Sequence, residues 1–230
     1  MKKTIIVLAS LLSVATLSAS RAQGVRLGLR AGTNYANLAG DVQNENTYNN
    51  KFGFLGGIML NADLSGDGFL SVQPELLFSQ KGFENRPTEY TNVLGTTQKR
   101  EGQVTYSYLD VPVLFKVNAS GLIFEAGPQY SYLLNAKDET QVTTRSGLTG
   151  STSSSSSHDQ KDLGRLNRNE LGYVAGIGYQ TEAGLSLNLR YTGAFNDFVK
   201  SDDGAYFDGD LKNARHSAIQ VSLGYLITNK

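Results

Sequence analysis

The chain has 230 residues with 21 basic and 21 acidic side chains, no cysteine and no tryptophan. Zero formal charge removes the global basic field that nucleic-acid binding draws on, and the lack of cysteine removes disulfide frameworks, thiolate metal sites and thiol redox chemistry. The length allows one large β domain or two smaller ones.

Met1–Ala22 reads as a secretory signal peptide. Lys2 and Lys3 form a positive start, Thr4–Leu17 an apolar run, and Ser20–Arg21–Ala22 places small residues around a cleavage site before Gln23. The run is well short of the ~20 apolar residues that a spanning helix needs. No later segment is apolar enough to be one. The sequence predicts an exported protein whose domain occupies residues 23–230, either soluble outside the cytoplasm or inserted as a barrel.

Eight segments then alternate with a period of two. Val25–Tyr35 sets Val25, Leu27, Leu29 and Ala31 against Arg26, Gly28, Arg30, Gly32 and Asn34. Phe52–Ala62 sets Phe52, Phe54, Ile58 and Leu60 against Gly53, Leu55, Gly57 and Met59. Phe69–Phe83 sets Leu70, Val72, Pro74, Leu76 and Phe78 against Ser71, Gln73, Glu75, Ser79 and Lys81. The next two form the most regular hairpin. Leu109, Val111, Val113, Phe115 and Val117 oppose Tyr108, Asp110, Leu114 and Lys116, Asn118–Gly121 turns, and Leu122, Phe124, Ala126, Pro128, Tyr130, Tyr132 and Leu134 return against Ile123, Glu125, Gly127 and Gln129. Pairing Val117 with Leu122 would set Lys116 diagonal to Glu125, roughly 7–8 Å away. Leu171–Tyr179, Leu185–Thr192 and Ser217–Ile227 complete the set.

The connections run long, short, long, short, long, short, long, with long ones around residues 38–50, 84–102, 138–166 and 197–212. An all-β, eight-stranded, antiparallel up-and-down sheet with every short turn at one end follows. A soluble half-buried sheet has the same period, so the polar face decides its setting. That face is rich in glycine and serine, and its charges are mixed in sign: Arg26, Arg30, Lys81, Lys116 and Arg190 against Glu75, Asp110 and Glu125. Small residues and paired charges suit the enclosed interior of a cylinder. The other face is nearly free of charge, with Tyr35, Phe52, Tyr130, Tyr132, Tyr179, Tyr191 and Tyr225 toward strand ends, the pattern of interfacial girdles. The expectation is a transmembrane β-barrel of the outer membrane with its long loops facing outward.

The ordered motifs GFLGGIML (53–60), LSVQPELLFSQKGF (70–83), YLDVPVLFKV (108–117), FEAGPQYSYLL (124–134), LGYVAGIGYQ (171–180), LSLNLRYTGAFND (185–197) and IQVSLGYLI (219–227) resemble the PorT-like outer-membrane β-barrel family. The resemblance spans essentially the whole chain after residue 22. It implies the barrel fold and, from one member, a role in secretion. Similar barrels often close on an aromatic near the terminus as an assembly signal, whereas Tyr225 here is followed by five more residues.

Candidate chemistry is sparse. The only histidines are His158, in a serine-rich run, and His216, within sequence reach of Asp208, Asp210 and Ser217. A lipid-modifying barrel enzyme would need a hydrogen-bonded His–Ser–carboxylate chain, and spacing alone does not supply one. Asp63–Gly68 imitates the start of a calcium loop but has Pro74 where the bidentate glutamate belongs, so it reads as a turn. Asp197, Asp202, Asp203, Asp208 and Asp210 read as a solvated acidic loop, with a divalent cation bridging to lipopolysaccharide phosphates as the weaker alternative. An eight-stranded barrel is just wide enough for its side chains to fill, so the interior charges read as a plug and not a pore. No catalytic, cofactor or metal site is expected. The expected function is a non-enzymatic, monomeric outer-membrane barrel with structural or surface-interaction loops, partnered by outer-membrane lipid, lipopolysaccharide and envelope or secretion proteins. A secretion-accessory barrel and a lipid-modifying enzyme are the alternatives.

Overall fold

The computed structural model describes residues 24–41, 48–91, 95–146, 149–156, 163–200, 211 and 213–227. The signal-peptide assignment, His158 and Asp202, Asp203, Asp208 and Asp210 lie outside them. Among the described residues there are ten strands: β1 Val25–Asp41, β2 Tyr48–Asp63, β3 Leu70–Thr91, β4 Thr97–Ala119, β5 Leu122–Asp138, β6 Gln141–Arg145, β7 Thr152–Ser156, β8 Asn169–Gln180, β9 Leu185–Ala194 and β10 Asn213–Leu226. Eight of them close a ring in the order β1–β2–β3–β4–β5–β8–β9–β10 and back to β1, every pairing antiparallel. Among the described residues no helix is long and apolar enough to cross a membrane.

The two faces separate as the alternation predicts. Phe52, Phe54, Leu29, Phe115, Phe124, Leu171, Ile177, Leu187, Leu223 and Tyr225 are all exposed on the outside, Phe52 at 66 %. Arg30, Glu75, Lys81, Asp110, Lys116, Glu125 and Arg190 are buried inside. Stably exposed apolar surface on every strand of the ring is tenable only against lipid, and closure removes the unpaired strand edges that lipid cannot hydrogen bond. Crowding accounts for the small residues of the inner face. A Cβ added at Gly57 or Gly127 would fall 2.0 Å from the carbonyl oxygen of Leu76 or Val113.

Three features depart from the sequence reading. First, the β4–β5 register is shifted by two: Ala119 pairs with Leu122 and Val117 with Phe124, so Lys116 sits directly opposite Glu125 rather than diagonal to it. The turn itself contains only Ser120 and Gly121, both left-handed at φ 54° and 95°, the pairing of conformations that a two-residue hairpin loop requires. Asn118 Oδ1 secures it by accepting the Gly121 N–H at 2.8 Å. A two-residue shift keeps side-chain parity, so the inner and outer faces of the hairpin are the same in either register. Second, much of the chain expected to be loop is strand. β3 and β4 remain paired out to Thr91↔Thr97, and β6 and β7 continue that sheet outward from β4. β3 and β4 have 22 and 23 residues, about twice the ~9–11 needed to span; the surplus is polar on its outer side, so periodic hydrophobicity did not reveal it. Third, a bulge sets Leu134 between the pairs Tyr108↔Leu133 and Ser107↔Asn135, and the parity of β5 inverts there, bringing Ala136 and Asp138 inside.

Candidate functional site

The inner face of the barrel stacks its buried polar groups in two clusters below an apolar stopper. Arg190 on β9 is the hub of the first. Its Nη1 and Nη2 donate to Glu75 Oε2 and Oε1 at 2.8 and 2.9 Å, while Nε and Nη2 donate to Glu125 Oε1 and Oε2 at 2.6 and 3.0 Å. Arg30 pairs with Glu75 at 3.3 Å and donates to Ser222 Oγ at 2.8 Å. Thus β1, β3, β5, β9 and β10 are tied across the lumen. Lys116, despite facing Glu125, donates to Gln180 Oε1 at 2.6 Å. The planar fork of arginine can serve two carboxylates at once, which an ammonium cannot match.

Nearer the long-loop end, Lys81 Nζ lies 3.4 Å from both Asp110 Oδ1 and Glu170 Oε1. Glu170 Oε2 and the Tyr108 hydroxyl both meet His216 Nδ1, at 3.0 and 3.1 Å. Glu170 follows the inward parity of β8 one step beyond the segment recognised in the sequence, so extending the alternation backwards would have found it. His216 is not linked to Ser217 by any hydrogen bond described, and Asp208 and Asp210 lie outside the described residues.

Above this cluster the interior turns apolar. Leu38, Tyr48, Phe83, Val104, Tyr106, Leu133, Leu166, Phe198, Val199 and Leu211 form one buried core with Tyr108. Phe198 stacks 4.4 Å from His216 and 5.4 Å from Tyr106 between ring centroids. The residues before β8 and after β9 are laced together to hold it: Leu166 bridges Val199, the Asn167 N–H donates to Phe198 O at 2.8 Å, and the Lys200 N–H to Arg165 O at 3.0 Å. The interior is therefore not an ionic plug throughout. Phe198 and Leu166 sit in connections without periodicity, and nothing local in the sequence marks them as core.

At the short-turn end, Asp63 accepts the N–H groups of Ser65, Gly66 and Gly68 at 3.0, 3.0 and 2.8 Å. That is turn chemistry, as expected. The Ser65 hydroxyl and the Phe69 N–H both donate to Asp67 and hold its carboxyl below the ordinary carboxylate range. In the acidic connection Asp197 accepts from Arg215 Nε at 2.8 Å. Among the described residues no group of three acidic or imidazole side chains is arranged to hold a metal ion.

A closed ring of eight strands, lipid-facing aromatics and a filled interior specify an architecture, and comparison with known proteins agrees. The model of the outer membrane protein beta-barrel domain family matches residues 18–200. The chain belongs to that family. It is accordingly a β-barrel of the Gram-negative outer membrane. Similar solved structures of this barrel type include Neisserial surface protein A, with 12 % identity over 88 % of this chain and 99 % of that one at a TM-score of 0.42. The attachment invasion locus protein Ail of Yersinia pestis has 14 % identity over 89 % and 99 % at 0.41. A major outer membrane protein of Thermus thermophilus has 12 % identity over 88 % and 99 % at 0.42. No curated protein matches the sequence.

Proposed function

We propose that this outer-membrane barrel is a non-enzymatic, monomeric scaffold that presents a β-sheet at the cell surface. Residues 1–22 are its signal peptide and 23–230 the mature chain. The observation that carries this reading is the disposition of β3, β4, β6 and β7, which continue one antiparallel sheet well past the apolar band while the lumen behind them is filled. Loops and extensions held on a rigid scaffold are where binding is placed. The sheet is polar: Gln141 Nε2 donates to Ser154 Oγ at 2.8 Å, and the Thr91 and Thr97 hydroxyls meet at 3.0 Å. Lys99 pairs with Glu101, which raises the pKa of the lysine.

Excising 141–156 tests the reading. The barrel should still insert, while surface adhesion or aggregation conferred by the full chain is lost. Retention of that phenotype would count against a presenting role. Insertion of the purified chain into planar bilayers should give no steady conductance, because the stopper and the arginine lattice fill the lumen.

A secretion-accessory role of the PorT-like kind is the second reading, supported by the motif order between Gly53 and Ile227. Deletion that blocks export of a secreted reporter would favour it. Lipid modification is third. It is disfavoured by His216, whose Nε2 is buried with no hydrogen-bond partner and whose ring packs on Phe198 of the stopper. Lipid A of altered mass after expression, restored to normal by His216→Ala, would overturn the non-enzymatic assignment.

A further inference from the structure

The outer wall is chemically lopsided just beyond the apolar band. On β5, β8 and β9 and the residues after β9, outward aromatics gather: Tyr130, Tyr132, Tyr173, Tyr191 and Phe195. Tyr173 lies 6.1 Å from Tyr191 and 5.3 Å from Phe195 between ring centroids. Outward of this belt stand five exposed cations: Lys137, Arg165, Arg168, Lys200 and Arg215. Backbone pairing places three of the five on neighbouring elements at the same end, and a side-chain ion pair places a fourth. The Arg168 carbonyl accepts the Leu133 N–H at 2.8 Å, the Arg165 carbonyl accepts the Lys200 N–H at 3.0 Å, and Arg215 Nε reaches Asp197 at 2.8 Å.

Two of these cations are neutralised nearby, Lys137 by Glu139 and Arg215 by Asp197. Arg168 and Lys200 meet neutral groups. The Arg168 guanidinium lies 5.9 Å from the Tyr132 ring centroid and donates to its hydroxyl at 3.3 Å, while Lys200 Nζ donates to the Gly164 carbonyl. Across the barrel, on β3, the outward positions include Glu84 and Arg86, and Arg86 is bound to Asn49 at 3.2 and 3.0 Å. Tyrosine rings mark the depth at which a bilayer passes from hydrocarbon to headgroup, and arginine beside them presents the fork that binds phosphate oxygens.

We propose that Arg168 and Lys200, flanked by Lys137, Arg165 and Arg215, bind the phosphate of an outer-leaflet glycolipid of the lipid A class, whose acyl chains lie against Tyr130, Tyr132 and Leu171. The assignment rests on the outward orientation of the long-loop end adopted above.

The test uses the full mature chain, refolded in detergent, titrated with phosphorylated lipid A, with the same glycolipid after phosphate removal, and with inorganic phosphate, bound species being counted by native mass spectrometry. Each cation near an anionic headgroup contributes about fivefold in affinity, so Arg168→Ala/Lys200→Ala should weaken phosphorylated lipid A about 30-fold. Arg86→Ala on the opposite wall should leave binding unchanged, and Arg168→Lys, which keeps the charge but loses the fork, should weaken binding less than Arg168→Ala does. Equal binding by the double variant, equal binding of the dephosphorylated glycolipid, or inorganic phosphate binding as tightly as the lipid would each overturn the proposal. Folding of each variant is checked by heat-modifiable gel migration. Labelling of Ser154→Cys on intact cells with an impermeant reagent reports orientation separately, so a reversed barrel is told apart from a missing lipid site.

Discussion

Replacing Arg190 with methionine probes the lattice at its hub. The four hydrogen bonds to Glu75 and Glu125, between 2.6 and 3.0 Å, disappear together. Glu75 keeps Arg30 at 3.3 Å and the Gln73 amide at 2.6 Å. Glu125 keeps only the Asn188 amide at 3.0 Å among its described hydrogen bonds, with no cation in ion-pair range. Removing one partner from a buried ion pair costs about 3–5 kcal/mol, because the charge left behind has been desolvated without compensation. At a slope of ~2 kcal/mol/M, the urea midpoint of the refolded barrel should fall by about 1.5–2.5 M. With no tryptophan in the chain, unfolding is followed by far-UV circular dichroism and the folded–unfolded gel shift. Arg190→Met/Glu125→Gln leaves the Arg30–Glu75 pair intact and neutralises the stranded carboxylate, so it should recover at least ~1–2 kcal/mol of the loss. A single variant within ~1 kcal/mol of wild type, or a double variant no more stable than the single one, would refute the lattice as the source of cross-barrel stability.

Further outcomes follow from the two ends of the barrel. Gly121→Ala forces a Cβ into a left-handed residue, 2.9 Å from the Tyr179 ring and 3.0 Å from the Gln180 carbonyl, and should cost about 1–2 kcal/mol in the same urea assay. Ser120→Gly relieves the φ of 54° next to it, and the equilibrium should shift by a few tenths of a kcal/mol at most in either direction, as relief of strain offsets greater freedom in the unfolded chain. Excision of residues 141–156 should leave heat-modifiable migration intact, because the ring closes through β3–β4 and β4–β5 without β6 or β7; loss of insertion would contradict the separation of ring and extension. Asp67 has a folded-state pKa below its unfolded value, so its contribution to the β2–β3 turn is complete above the ordinary carboxylate range and is lost as pH falls through the folded value. The protection factor of the Phe69 amide, its exchange rate relative to the intrinsic rate at the same pH, should therefore fall in acid in the wild-type chain, and Asp67→Asn should remove that acid dependence.

The period-two alternation from Val25 to Ile227 was enough to assign the barrel, its inner and outer faces and the positions of its short turns. Side-chain parity is a local property of the extended backbone and survives even the two-residue register error at Lys116 and Glu125. Arg190, Glu75 and Glu125 were visible as inward charges for the same reason. Their partnership was not visible, because it joins β3, β5 and β9 across the lumen, and ring closure alone decides which of several inward cations reaches which carboxylate. The strand character of residues 84–91 and 97–102 was hidden because that stretch lacks the apolar alternation of the spanning segments, so no hydrophobic pattern distinguishes it from a loop. Phe198 and Leu166 show the limit most plainly. In the sequence Leu166 and the pair Phe198–Val199 are short apolar islands without periodicity, and they become core only when two connections fold back into the mouth of the barrel. Local patterning determined what faces lipid and what faces inward; packing across the closed cylinder determined which inward groups meet.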